Sequence, residues 1–340
     1  MKKKLSLFIA IPALLIVLAA YCLIQLRHFA AAPLSIKEEK IFTLPAGTGR
    51  EGLMAALRRQ HIVRHAGWLP WLWQLEPGLA KFKAGTYRFT PGMTVRQMLE
   101  LLVSGREAQF AIRFIEGSTL KEWLAILAKA PYVKHTLAGV PPDGLAAKLG
   151  LNPTLPLEGR FYPDTYLYTA QTADTAILKR AWQRMDKTLD NVWRTKADGL
   201  PYKTPDDLLI MASIIEKETG VPDERAKVAS VFVNRLRLGM RLQTDPTVIY
   251  GMGDRYKGVI SRQDLDEATP FNTYQIHGLP PTPIAMPGLA SLEAAAHPEK
   301  TTYLYFVADG KGRHVFSSNL ASHNKAVQLY RESIKETHGQ

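Results

Sequence analysis

A chain of 340 residues, 46% hydrophobic and 22% charged, exceeds what one compact core needs and is too apolar for extended disorder. Its formal charge of +12 favours an anionic partner: nucleic acid, acidic lipid or an acidic wall polymer. A single cysteine excludes an internal disulfide and a cysteine-based metal site.

The opening MKKK is followed by Leu5 to Leu26 without one charged residue. As a helix that run spans roughly 33 Å, enough for a bilayer core. Lys2, Lys3 and Lys4 predict a cytoplasmic N-terminus, with the bulk of the chain across the membrane. A cleaved signal ending near Ala30 to Pro33 is the alternative, but the apolar run is too long for it. A lipoprotein signal at Cys22 would need a small preceding residue, and Tyr21 stands there. The reading is therefore a tail at 1–4, a transmembrane helix at 5–26 and a linker at 27–40. A basic body held on the outer face of an inner membrane has little access to DNA, which favours cell wall over nucleic acid.

After the linker a weak motif occurs three times, beginning at Leu44, Phe89 and Phe114. Each copy has glycine three residues on (Gly47, Gly92, Gly117) and leucine thirteen on (Leu57, Leu102, Leu127). The pattern predicts a strand, a glycine turn and an amphipathic helix, although any strand-turn-helix unit has this look. Thr94 with Gln97 and Thr119 with Glu122 are spaced as capping boxes. Trp68, Trp71 and Trp73 lie between the first two copies, at spacings that suit packing better than stacking on sugars. The middle copy, GTYRFTPGMTVRQMLELL, resembles a LysM module, a small fold that binds N-acetylglucosamine polymers. This gives a LysM-like subdomain at 41–108 and a larger domain at 109–340.

Beyond Phe110, short strands and helices alternate without the rhythm of a parallel sheet, which predicts an α+β fold. LEGRFYPDTYLY reads as strand, TAILKRAWQRMDKTLDNVWR as a basic amphipathic helix, and TYLYFVADGKGRHVFSS as a hairpin turning at Asp309 to Gly312. SHNKAVQLYRESIKE reads as a closing helix. No glycine-rich phosphate loop stands between a strand and a helix, so no nucleotide cofactor is expected. His277, His297, His314 and His323 are scattered, so no metal is expected and structural or surface roles are assigned to them.

DLLIMASIIEKETGVP carries the candidate chemistry. Thr204-Pro205-Asp206-Asp207 is a helix start and Gly220 with Pro222 a stop. At 100° per residue from Leu208, Met211, Ala212 and Ile215 form the buried stripe. Glu218 falls at about 280°, beside Met211, whereas Glu216 lies nearer solvent and Lys217 with Ser213 on the wettest side. A poorly hydrated carboxyl at a helix C-terminus has a raised pKa, as a general acid at neutral pH requires. Spacing alone leaves a second reading open, in which Glu218 turns to water at a fraying helix end. A second helix starts at Pro222 and stops at Gly239, with Asn234 off its core face; then RLQTDPTVIYGMG carries Gln243, Thr244, Asp245 and Tyr250. The proline-rich stretch Pro270 to Gly288 reads as a long functional loop or a stiff structural one.

MASIIEKET, VASVFVNRLRLGMRLQTDPTVIYG, NTY, GLPPTPI with its following PG, and LEGRFYPDTY together resemble the YceG/MltG endolytic murein transglycosylases. The resemblance covers nearly the whole chain and places Glu218 at that family's catalytic glutamate. It implies cleavage of the bond between N-acetylmuramic acid and N-acetylglucosamine in peptidoglycan strands, leaving 1,6-anhydro ends. It further implies no cofactor, a location in the inner membrane with a periplasmic catalytic domain, and penicillin-binding proteins as partners. The expected substrate-binding residues are Thr219, Asn234, Gln243, Thr244, Asp245, Tyr250, Asn272, Thr273 and Tyr274. Two alternatives stay open: a hydrolase using Glu218 with Asp245, and a wall-binding scaffold without catalysis.

Overall fold

The computed structural model describes residues 2–338. It is a mixed α+β chain in two compact units. One holds the chain up to Phe110 together with Leu167–Gln171; the other holds Ala111–Tyr166 and the chain from Thr172 onward.

The first unit begins with helix α1 (Lys2–Ala31). Its Ile11–Ala31 portion is long and apolar enough to cross a membrane. Strands β1 (Lys40–Leu44) and β2 (Gly85–Phe89) pair antiparallel, from Lys40 opposite Phe89 to Leu44 opposite Gly85. Between them run α2 (Arg50–Arg59) and α3 (Leu69–Leu75), and α4 (Val95–Ser104) follows β2. Alternation along the strands buries Phe42, Leu44, Tyr87 and Phe89 on one face, with Phe42 stacked on Phe89 at 5.3 Å. Leu53 and Leu57 of α2, Leu72 and Trp73 of α3, and Met98, Leu99 and Leu102 of α4 close this core. The three tryptophans divide: Trp73 is buried, Trp68 partly buried and Trp71 exposed. Both expected capping boxes form, Thr94 with Gln97 here and Thr119 with Glu122 in the second unit.

β3 (Gln109–Arg113) leads to α5 (Leu120–Lys129) and the short α6 (Leu145–Lys148). Phe114 stacks flat on Trp123 at 3.8 Å, and Phe161 packs beside them. After β4 (Thr165–Thr169) come α7 (Asp174–Thr195), α8 (Pro205–Glu218) and α9 (Arg225–Arg237). Then follow α10 (Asp245–Met252), α11 (Arg262–Asp266) and α12 (Leu289–Ala296). A hairpin of β5 (Tyr305–Ala308) and β6 (His314–Ser317) precedes α13 (Leu320–His338).

α8 is the centre of the second unit, packed by α7, α9, α10 and α12. Its start is as expected: Thr204 caps Asp207 in a capping box, with Pro205 at the first turn. Its environment differs from the one-sided stripe that the wheel predicts. Every residue from Leu208 to Ile215 is buried. Ser213, expected on the wettest side, is fully enclosed; its hydroxyl donates to the Ile210 carbonyl and accepts the Ile284 N–H at 3.0 Å. A helix surrounded by four others has no wet side until its last turn, and a single serine there bonds locally.

Candidate active site

Glu218 is the last residue of α8, and the chain leaves it through an extended Thr219 rather than a left-handed glycine. Gly220 is therefore not a helix cap, because Thr219 already breaks the helical dihedrals. Glu218 borders a cavity of about 440 Å³ shared with Gln243, Thr244, Asp245 and Tyr274. Arg235 of α9, Tyr305 of β5, and His323 and Asn324 of α13 complete its polar wall.

The Thr244 hydroxyl donates to Glu218 Oε1, and Tyr274 Oη donates to Asp245 Oδ1 at 2.6 Å. Thr244 is itself held. Its N–H donates to Thr273 Oγ1 at 3.0 Å, and its carbonyl accepts from Thr247 Oγ1 at 2.7 Å. All three threonines are buried, so this hydroxyl lattice fixes the donor aimed at Glu218. Gln243 just before it sits at φ +51, a region that costs a non-glycine residue of order 1 kcal/mol. Arg235 Nη1 donates to the Gln243 side chain at 3.2 Å and helps hold that turn.

Burial pushes the Glu218 carboxyl up to about 7, and the Asp245 charge adds to the rise; the Thr244 hydrogen bond and the His314 charge oppose it. His314 is oriented by Glu224, whose Oε2 lies 2.8 Å from Nδ1 and whose Oε1 accepts the His314 N–H at 3.1 Å. Burial alone would raise Glu224, but the contacts to His314 and Arg313 outweigh it and hold that carboxyl low. Two glutamates six residues apart thus carry opposite tendencies, one toward the acid and one toward the carboxylate.

The other glutamate of α8 has a different task. Glu216, expected near solvent and free to pair with cations, is half-buried and accepts the Gly288 N–H at 2.9 Å. It secures the start of α12. A second carboxyl pushed up to about 7 is Glu158, raised by burial. It accepts the Leu120 N–H at 2.9 Å and the Tyr250 hydroxyl at 3.1 Å, tying α5 to α10.

Of the residues expected in the site, Glu218, Gln243, Thr244, Asp245 and Tyr274 share the cavity, and Thr273 braces it from beneath. The rest are elsewhere. Asn234 donates to the carbonyls of Thr301 and Tyr303 and borders a separate hollow. Asn272 is buried, donating to the carbonyls of Asp264, Leu265 and Glu267 and accepting from Tyr274 N–H. Tyr250 faces Glu158 and Phe271, and the Thr219 hydroxyl accepts the Val221 N–H at 3.0 Å. An amide suits a buried backbone turn as well as it suits a sugar, and here the turns claim both asparagines. Tyr305, His323 and Asn324 escaped sequence reasoning because the hairpin and α13 bring them back from far along the chain, and Arg235 of α9 was not expected there either.

Residues 42–329 match the YceG-like family. The chain belongs to that family. A Bacillus subtilis (strain 168) protein named endolytic murein transglycosylase is 33% identical over 310 residues, covering 86% of this chain and 85% of its own. One of the same name from Streptococcus pneumoniae D39 is 25% identical over 331 residues; this chain spans 59% of its length. The crystal structure of a YceG-like protein from Listeria monocytogenes superposes with a TM-score of 0.54 at 31% identity, covering 85% of this chain and 99% of that one.

Replacing Thr244 by valine tests the donor in this YceG-like site. Without the hydroxyl, burial and Asp245 raise Glu218 with less opposition. A hydrogen bond to a charged group is worth about 1.5–3 kcal/mol, so the alkaline limb of a pH–rate profile should move up by roughly one to two units.

Proposed function

We propose that this YceG-like protein is an endolytic lytic transglycosylase of peptidoglycan, with Glu218 as its single acid and base. The observation that carries the reading is a carboxyl pushed up to about 7 by burial at a polar cavity, in a family whose curated relatives are named endolytic murein transglycosylase. At neutral pH a large fraction of Glu218 holds a proton it can give to the oxygen bridging N-acetylmuramic acid and N-acetylglucosamine. The bond from that oxygen to C1 of the muramoyl ring breaks, and the carboxylate takes the proton of the same ring's C6 hydroxyl. The C6 oxygen then bonds C1, closing a 1,6-anhydro ring. No water enters, and Glu218 ends protonated as it began.

Thr244 orients the carboxyl, while Tyr274 holds Asp245 as a fixed negative charge suited to a positive ring carbon. An Asp245 used as a second catalytic carboxylate would instead make the enzyme a hydrolase. In this proposal α1 is a single-pass anchor in the inner membrane, with Lys2 to Lys4 in the cytoplasm and the catalytic unit in the periplasm. The basic surface then faces acidic wall polymer, and the anchor keeps the enzyme beside nascent strands and the penicillin-binding proteins that extend them. The order β1–α2–α3–β2 suits a LysM-like holding role for the first unit.

The full chain in detergent, given uncrosslinked glycan strands, should release internal fragments whose ends are one water lighter than reducing ends, read by mass spectrometry. Reducing ends would make it a hydrolase. Binding to wall sacculi without soluble fragments would make it a scaffold.

A further inference from the structure

We propose that α3 is a second membrane contact: its outer face enters the leaflet at the C-terminal end of α1, and a phospholipid acyl chain fills the groove between the two helices. The proposal rests on reading α1 as a membrane anchor.

The surroundings of α1 change sharply along its length. Leu14, Val17 and Tyr21 are bare, whereas Leu26, Phe29 and Ala30 are buried in the core of the first unit. The folded unit therefore grips the last two turns of the helix and leaves Ile11 to Ile24 to lipid. Counting back from Ile24, twenty residues reach Leu5, all uncharged, and at 1.5 Å each they span about 30 Å, a full hydrocarbon core. Arg27 and His28, both exposed, come next and belong among head groups. These constraints put the edge of the hydrocarbon close to Leu23 and Ile24.

A groove of about 480 Å³ opens at that level. Cys22, Leu23 and Leu26 form one wall, and Trp68, Trp71 and Leu75 the other. Trp71 is 65% exposed and Leu75 50% exposed. In water these two side chains on a seven-residue helix would be a costly apolar patch. At a bilayer interface they are well placed, because tryptophan prefers the head-group level with its ring in apolar surroundings. His65, exposed beside Trp68 and Trp71, gives the same rim a polar edge, and Arg64 before it in the chain is exposed as well. A lipid is the occupant these features fit: the groove is apolar, borders the lipid-facing run of α1 and is followed directly along α1 by the exposed cation Arg27. The first unit would then be held at two points, which removes much of its freedom to swing about the anchor.

The test uses the full chain with Cys22→Ser and one nitroxide label, placed by Gln74→Cys or Leu75→Cys, in nanodiscs of anionic phospholipid holding one chain each. Leu18→Cys in α1 and Arg106→Cys, exposed on the same unit, serve as references. Both α3 positions are exposed, so labels leave the core intact, and Trp71 stays in place. Collision with oxygen relative to a water-soluble nickel chelate is expected to be several-fold higher at 74 and 75 than at 106, approaching that at 18. Nickel access at 74 and 75 equal to that at 106, with 18 still in lipid, would overturn the docking while the anchor stands. Shielding from both reagents would mean that protein covers the groove and would overturn it too. A label at 18 that meets nickel would remove the anchor itself.

Discussion

Glu218→Gln is expected to lower the turnover of glycan strands by about 10³-fold, inside the range of roughly 10²–10⁴ that a positioned acid or base contributes. Glutamine matches glutamate in size and still accepts from the Thr244 hydroxyl, so the cavity should persist. It has no proton to give. The same substitution should affect stability with the opposite sign. In the unfolded chain the Glu218 carboxyl titrates near its ordinary 4.5, and in the folded one near 7. Between those values the folded state holds the extra proton, so wild-type stability falls as pH rises across the window. At about 1.4 kcal/mol per unit the full loss is about 3 kcal/mol, complete above the folded value. Glu218→Gln escapes that loss, so the variant should match wild type near pH 4 and exceed it by up to about 3 kcal/mol at pH 8. Denaturant titrations at the two pH values check the stability, and fragment release checks the turnover. Undiminished release would end the assignment of Glu218.

Arg235→Leu should destabilise the second unit by about 3–5 kcal/mol. Arg235 is 7% exposed, and its guanidinium donates to the carbonyls of Leu304 at 2.7 Å, Leu242 at 3.0 Å and Arg241 at 3.1 Å. It also lies over the Tyr305 ring at 5.0 Å. Leucine fills part of the volume but leaves three partly enclosed acceptors unpaired, each costing about 1–3 kcal/mol. These contacts join α9 to β5 and to the segment leading into Gln243 and Thr244, so activity should fall alongside stability. Lysine is a poor substitute, because a single ammonium cannot reproduce the planar fork. Arg235→Lys should recover less than half of the lost stability, measured by the shift in denaturation midpoint at constant slope.

Local signals were legible wherever a few adjacent residues set the outcome. The apolar N-terminal run, the three capping boxes at Thr94, Thr119 and Thr204, and the hairpin turning at Asp309 to Gly312 all lie in short windows. Glu218 was legible as well, for its setting at the last turn of a mostly apolar helix follows from spacing. Gln243, Thr244, Asp245 and Tyr274 were reached through chemical type and motif. The same reasoning misplaced Asn234 and Asn272, whose amides satisfy backbone carbonyls. Side-chain type says which bonds a residue can make, and only its neighbours say which bonds it does make.

By itself, the sequence determined the α+β character, the candidate membrane helix, the start of α8 and the carboxyl at its tip, because dihedral preference, hydropathy and helical phase act over one or two turns. Tertiary structure alone decided that α8 is enclosed on every side up to its last turn, that Glu216 secures α12 while Glu218 faces a cavity, and that His323, Arg235 and Tyr305 stand around it. It also decided that Trp71 and Leu75 lie bare beside Leu23. Those outcomes depend on contacts between residues tens of positions apart, and burial, which sets the pKa of a carboxyl, is a property of the packed whole.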